Sequence, residues 1–457
     1  MRLRDGLAVG ALIGGVMAAR RLQRRRGREP VAARLWRFFG QDPARLTVVS
    51  CSLSAVEAPS VHRAIESWAQ EHSAQLDIVG YQSTGLLDSS LRTLLFSVPF
   101  FAPHTSAVAY EDVAVGYGET VACPTHALYL LTAGRTRAVV RVFSAHGHSQ
   151  LEVMADPGAA GKPLLDALRA LAMHHCVYRG KLLSFDCQAG LRFQRVEPVP
   201  TEAVILPDET KAMLTRNTVG FFQHAEALRR AGRAVKRGLL LHGPPGTGKT
   251  YSAMWLAGQM TGVTVFLETA EQLAAIKQVC QMARLLAPSL VILEDVDLIA
   301  APREAGRDPG EQVFLHQLLN EMDGMAPDAA VMFLLTTNRP EAIETALAAR
   351  PGRVDQAIAY PLPDAEGRRR LLALFGQGLE LQLDDEPALI ARLQGASPAF
   401  IKELVRKAAQ FALDEDGETS PLRLDDGHFD AAIGELLLGA GAFSRQLLGF
   451  PEVGAEG

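Results

Sequence analysis

The chain has 457 residues, room for about three ordinary domains, and 48% of them are hydrophobic, which excludes a disordered polypeptide. Its net charge of −5 is unevenly spread: residues 1–37 carry ten arginines against Asp5 and Glu29, so that arm is +8 and the remainder −13. An acidic body with one basic arm argues against a nucleic-acid-binding protein and for a localised anionic contact.

Residues 6–19 carry no charge and lie between Arg2 and Arg4 on one side and Arg20, Arg21, Arg24, Arg25, Arg26 and Arg28 on the other. As a helix this stretch spans about 21 Å, short of the roughly 30 Å hydrocarbon core, and snorkelling arginines and local thinning would close part of the gap. Gly6, Gly10 and Gly14 give the small-xxx-small spacing of closely packed membrane helices. Residues 1–30 are therefore read as a single-pass membrane anchor with everything after it on the cytoplasmic or equivalent side. The alternatives are a tail on a cytoplasmic protein and a cleaved signal peptide, which the following arginines oppose.

From 31 to 198 short β-like runs alternate with two helical stretches, an α+β domain of its own. Strands are expected at Leu46–Leu53, Leu76–Tyr81, Ser106–Val115, Ala127–Thr132, Ala138–Phe143, Leu151–Met154 and Leu191–Val196. Helices are expected at Ser60–Ser73, with Ser60 as N-cap, and at Lys162–Tyr178, where Pro163 suits the first turn. No catalytic constellation stands out, and substrate handling falls to this domain because the other parts have assigned work. The cysteines, Cys51, Cys123, Cys176, Cys187 and Cys280, form no CxxC pair and read as reduced thiols. Cys280 sits on the apolar face of a helix with Ile276, Val279 and Ala283, a core position.

Residues 199–207 read as a linker into a domain spanning 199–360, in which helices are expected at Asp208–Thr215 and Phe221–Ala231. The apolar run 238–242 then leads into Gly243, Pro244, Pro245, Gly246, Thr247, Gly248, Lys249 and Thr250, followed by a helix-compatible run over 251–257. Strand, glycine-rich loop and helix in this order make a phosphate-binding loop. The glycines let backbone N–H groups turn toward phosphate oxygens, and the helix N-terminus adds partial positive charge. Lys249 would reach the β- and γ-phosphates of ATP, and the Thr250 hydroxyl would ligate Mg2+.

A second strand is expected at Val263–Leu267 and an amphipathic helix at Ile276–Leu286, ended by Pro288. Residues 289–297 form an apolar strand with Glu294, Asp295 and Asp297 at its C-terminal end, which in a parallel sheet lies at the ligand crevice. Carboxylates there fit the need to hold the Mg2+ water shell and to polarise an attacking water. A helix at 310–324 and a buried strand at Ala330–Thr336 follow. Asn338, at the mouth of that strand, is placed to orient water against the γ-phosphate. Arg350 and Arg353 suggest a finger supplied to a neighbouring subunit's site. Beyond Pro361 and Pro363, helices are expected at Glu366–Phe375, Glu386–Leu393, Pro398–Ala412 and His428–Leu438, a lid over 361–438, with a loosely ordered tail at 439–457. Ser397 is the N-cap of the third lid helix.

Five pieces stand in order: GPPGTGKT at 243–250, LVILEDVD at 290–297, LLNEMDG at 318–324, TTNRP at 336–340 and ARPGRVD at 349–355. With them, residues 200–438 resemble an AAA ATPase module. The fold class this implies is α/β: a P-loop module of parallel sheet plus helical lid, preceded here by the α+β domain and the short N-terminal apolar helix. The resemblance implies an ATP hydrolase working as a homo-oligomeric ring of six or seven subunits on a protein client, with ATP between subunits. It makes Lys249 and Thr250 the phosphate and Mg2+ residues, Asn338 the first sensor, Arg350 and Arg353 the arginine fingers, and Gly395 and Ala396 a backbone contact to the nucleotide.

Two departures narrow the resemblance. The acidic strand ends Glu294-Asp295 where the family usually writes Asp-Glu, so by alignment Glu294 takes the metal role and Asp295 the base role, with the division between them open. The segment between Leu267 and Ile276 is short and lacks the pore signature of unfoldases. The Glu-Asp order, the approach Lys236-Arg237-Gly238, the basic stretch after an apolar helix and the β-rich middle domain are similar to the branch of the mitochondrial ATPase that assembles respiratory complex III. A nucleotide-gated scaffold with low turnover and a soluble disassembly machine are the rival readings; no HExxH protease signature occurs.

Overall fold

The computed structural model describes residues 29–54, 56–82, 90–95, 102–145, 148–186, 190–195, 197–269, 275–300, 310–324, 329–341, 343, 354–417 and 421–438. The apolar stretch 6–19, residues 301–309, Cys187, Arg350, Arg353 and residues 439–457 lie outside them. Among the described residues no helix is long and apolar enough to cross a membrane. The chain divides into two compact units, Met1–Tyr178 and Arg179–Gly457.

The first unit opens with a helix absent from the sequence expectations, α1 (Val31–Phe39), which buries Val31, Leu35 and Phe39 at four-residue spacing and stops at left-handed Gly40. Its strands are β1 (Val48–Leu53), β2 (Gln75–Tyr81), β3 (Thr105–Ser106), β4 (Ala109–Gly116), β5 (Glu119–Thr125), β6 (Ala127–Ala133), β7 (Thr136–Ala145) and β8 (His148–Asp156). Six of them form a sheet in the order β1-β8-β7-β6-β2-β3, every neighbouring pair antiparallel, and β4 and β5 form a separate hairpin. Side chains alternate across β6: Tyr129 and Leu131 join the core under α2 (Val61–Glu71) and α3 (Gly161–His174), while Leu128 and Leu130 join the core of α1. Coverage of both faces explains why β6 reads as continuously apolar rather than alternating. Ser60 stands at the start of α2 without capping it; its hydroxyl accepts the Val177 N–H at 3.1 Å instead.

The second unit is built on a seven-stranded sheet of β9 (Leu182–Asp186), β10 (Gly190–Phe193), β11 (Lys236–His242), β12 (Thr264–Thr269), β13 (Ser289–Glu294), β14 (Val331–Thr337) and β15 (Gln356–Ala359). The order is β10-β9-β12-β13-β14-β11-β15, parallel except for the β9–β10 hairpin. The strand expected at Leu191–Val196 inside the middle domain is thus corrected. It is β10, half of a hairpin that extends this sheet, because Val265 and Phe266 of β12 pair with Leu182 and Leu183 of β9. Strand β15 also escaped the sequence reading; four residues alternating in burial carry too little apolar signal.

On one sheet face lie α4 (Asp208–Asn217), α5 (Val219–Arg230) and α6 (Lys249–Gln259), around Leu214, Phe221, Leu239, Leu241, Trp255 and Leu334. Helix α7 (Ile276–Leu285) buries Ile276, Val279, Cys280 and Ala283, as their spacing required. The lid has helices α8 (Ala365–Phe375), α9 (Glu386–Arg392), α10 (Pro398–Asp416) and α11 (Asp426–Leu438), plus a small parallel ribbon of Leu379–Gln382 and Leu422–Asp425. Leu372, Ile390, Phe400, Leu404 and Phe429 share its core. Ser397 caps α10 as expected, accepting the Phe400 N–H at 3.2 Å.

Candidate nucleotide site

Strand β11 delivers the chain to the crevice at the sheet's C-terminal edge, and α6 carries it away. Between them Gly243, Gly246 and Gly248 have φ of 151°, 74° and 91°. Left-handed backbone suits glycine, and two of these positions also lack space for a side chain. A Cβ on Gly243 would stand 2.3 Å from the Tyr360 carbonyl oxygen, and one on Gly246 would stand 2.9 Å from the Ala399 Cβ and 3.0 Å from the Ser397 Oγ. The loop is therefore wedged against β15's exit on one side and the start of lid helix α10 on the other. The Ala399 N–H donates to the Gly246 carbonyl at 3.2 Å.

A cavity of about 570 Å3 opens at this loop, lined by residues 245–250, Asp295 and Asn338. Its other walls are Val204, Ile205 and Leu206 from the linker, Leu371, Leu374 and Phe375 from α8, and Pro398, Ala399 and Lys402 from α10. The polar end faces the loop and the apolar end lies between linker and lid, dimensions and chemistry suited to a ligand with a charged tail and a flat apolar head. In sequence, residues 199–207 read only as a linker, and their part in the cavity wall, like that of Lys402, carries no motif. Val204-Ile205-Leu206 between two prolines was the available signal, three apolar residues in a stretch that had no reason to be apolar as a mere connector.

Lys249 is buried and its Nζ donates to the Gly243 and Pro244 carbonyls at 2.8 and 2.9 Å. Burial pushes its ammonium down to about 8, opposed by the negative charge of Asp295 and Asp297. Glu294, ending β13, is raised above the ordinary carboxylate range by burial, with Asp295 adding to the rise and a hydrogen bond from the Thr250 side chain opposing it. Its Oε1 is buried with no hydrogen-bond partner among the described residues. A hydroxyl and a half-orphaned carboxylate side by side are hard oxygen donors that fit Mg2+.

Asp295 has φ of 50°, a left-handed conformation that aspartate tolerates far better than glutamate. The order Glu294-Asp295 thus has a local physical reason: the residue that turns the chain out of β13 is the shorter acid. Its N–H donates to the Thr336 hydroxyl at 3.0 Å, and its Oδ1 accepts from the Asn338 side-chain amide at 3.2 Å. Asp297 holds the same corner, accepting the Thr337 hydroxyl at 2.9 Å and the Asn338 N–H at 3.0 Å. The structure thus brings together Lys249, Thr250, Glu294, Asp295 and Asn338. Gly395 and Ala396 do not line the cavity, and Ala396 is buried among lid residues; the lid reaches the loop through Ser397 and Ala399 instead.

A glycine-rich loop between a parallel strand and a helix, with carboxylates at the end of a neighbouring strand, defines a P-loop nucleotide-hydrolase site. Residues 239–362 match the ATPase family associated with various cellular activities (AAA), so the chain carries an AAA ATPase domain. The chain is 31% identical to the ATP-dependent zinc metalloprotease FtsH of Hahella chejuensis over 57% of its own length and 44% of that protein's. It is 34% identical to FtsH 4 of Sphaerobacter thermophilus over 51% and 36% of the two chains, and 33% identical to the proteasome-activating nucleotidase of Pyrococcus horikoshii over 42% and 51%. The chain spans about half, or less, of the length of these relatives. The domain and the ATP-dependent relatives support the expected enzyme class, an ATP hydrolase.

Proposed function

We propose that this chain is one subunit of a ring-forming, membrane-anchored AAA ATPase that couples ATP binding and hydrolysis to remodelling or translocation of a protein client. The observation that carries the proposal is the meeting of Lys249, Thr250 and the Asn338–Asp295 pair on one cavity between loop and lid, with Glu294 hydrogen-bonded to Thr250. ATP with Mg2+ would supply a charged triphosphate whose terminal bond is open to water. Toward it, the loop amides and Lys249 bind negative charge, and Thr250 with Glu294 holds the cation. Asp295, steadied by Asn338, is the acceptor for a proton from water. Ile205, Leu371 and Phe375 offer apolar surface to a base. Lid helix α10 touches the loop at Gly246, so occupancy of the cavity is felt by the lid. Arg350 and Arg353 are assigned to a neighbouring subunit's site by resemblance to the AAA module, the residue 31–198 domain to the client because the other parts have assigned work, and residues 1–30 to the membrane, a layout similar to the complex III assembly branch.

Steady-state ATP hydrolysis by the full-length protein tests this, with Lys249→Ala as background. Turnover above that background, lost in Arg350→Ala and restored when Arg350→Ala is mixed with a Lys249→Ala chain, is the expected pattern. Turnover no higher than background would favour the nucleotide-gated scaffold, a reading to which the short Asp295 carboxylate gives some support.

A further inference from the structure

Hairpin β4–β5 is covered on one face only: Cys123 is buried there and β4 packs on the turn Ala58–Ser60, while the face carrying Tyr110 and Asp112 is open. Among the described residues its strands pair only with each other, and a lone two-stranded ribbon is marginal in water unless something packs on it. Tyr110, Tyr117 and Val121 are 60%, 61% and 50% exposed. Every charged side chain from 105 to 125 is acidic: Glu111, Asp112 and Glu119. All three are exposed, and none has an ion-pair partner among the described residues.

The sequence carries the opposite charge immediately before the residues that pair beside this hairpin. Glu29 and Pro30 run antiparallel to Thr105 and His104: the Thr105 N–H donates to the Glu29 carbonyl at 2.7 Å, the Glu29 N–H donates to the Thr105 Oγ1 at 3.2 Å, and Pro30 bridges His104. Traced backwards, Pro30 and Glu29 run from His104 toward Ser106, the direction in which β4 begins. Residues 20–28 carry six arginines and no acid.

We propose that residues 20–28 of the same chain dock along the open edge of β4, setting guanidiniums on one side against Asp112 and the Tyr110 ring and on the other against Glu111 and Glu119. Arginine suits both halves of the surface, since its planar head pairs with carboxylates and stacks on tyrosine. An extended arm also has backbone groups to offer the unpaired edge of β4. The contact is local to the first unit and independent of the nucleotide reading. It gives the basic arm a protein partner in place of, or in competition with, an anionic lipid surface.

Limited trypsin digestion of the full-length protein, read by mass spectrometry at the six arginines, tests it. Three exposed charge pairs each contribute a factor of roughly two, so the triple variant E111Q/D112N/E119Q is expected to be cut there about fivefold to tenfold faster than the parent. High salt is expected to remove the difference. Tyr110→Ser, which keeps every charge, is expected to give a smaller acceleration. Cleavage at Arg369 and Arg406 in the lid checks that each variant is otherwise folded. Equal cleavage of parent and triple variant, whether both are exposed or both are shielded by lipid or detergent, overturns the proposal. Protection that disappears on dilution assigns the hairpin to a second copy of the chain and overturns it equally.

Discussion

Replacing Gly246 by alanine tests how tightly the phosphate-binding loop is held to the lid. The position has φ of 74°, and left-handed backbone costs an L-residue about 1–2 kcal/mol. The new methyl would also stand 2.9 Å from the Ala399 Cβ and 3.0 Å from the Ser397 Oγ, and relieving such an overlap in packed structure costs about 1–3 kcal/mol. The expected total is roughly 2–5 kcal/mol. Where the loop keeps its shape the cost appears as lost stability. Where the loop relaxes, its amides leave their places and the cost appears as nucleotide affinity weakened about thirtyfold or more. Thermal unfolding and equilibrium binding of a fluorescent ATP analogue, measured together, capture both routes. Gly246→Ala with Ala399→Gly removes the nearer overlap but not the backbone strain, so it should recover about half of the loss. A single variant with unchanged stability and unchanged affinity would refute the wedge, and a double variant no better than the single would refute the role given to Ala399.

Glu268 in β12 is buried with one oxygen accepting the Phe185 N–H at 2.8 Å and the other without a partner among the described residues, and burial pushes its carboxyl up to about 8. Its folded form holds the proton that the unfolded chain releases near 4.5, so its contribution to stability is greatest below about 4.5 and falls as pH rises toward 8. Glu268→Gln should flatten that decline and stabilise the protein at pH 7 by roughly 3 kcal/mol in denaturant titrations; equal pH profiles for parent and variant would contradict it. In the first unit, Arg141 is fully buried with Glu152 at 3.0 Å and the Tyr81 hydroxyl at 2.9 Å. Arg141→Leu should destabilise by about 3–5 kcal/mol in the same assay, while Arg141→Leu with Glu152→Leu should recover most of that loss. Ser397→Ala removes the cap of α10 and should cost about 1 kcal/mol, visible as a drop of a few degrees in Tm. Asp295→Asn should retain bound ATP while losing turnover; Glu294→Gln doing so in its place would exchange the two carboxylates' roles.

What the sequence determined by itself is the chemistry carried on contiguous segments. The loop at 243–250, the acidic end of β13 and Asn338 could be read in advance, because a glycine-rich turn between strand and helix sets its own geometry through local backbone freedom. The same holds for Cys280 and for the Ser397 cap, since a helix's period and first turn involve residues only a few positions apart. Tertiary structure alone decided the rest. Nothing local distinguishes Leu182–Phe193 as a hairpin of the second unit from one of the first; the pairing of Leu182 and Leu183 with Val265 and Phe266 makes that choice across some eighty residues. The walls supplied by Val204–Leu206 and Lys402, the diversion of Ser60 to Val177 and the withdrawal of Gly395 and Ala396 from the cavity have the same origin. Each depends on which surface the folded chain brings opposite a residue, and free energies of burial and hydrogen bonding between distant segments set that, while periodicity reports only which face of an element is turned inward.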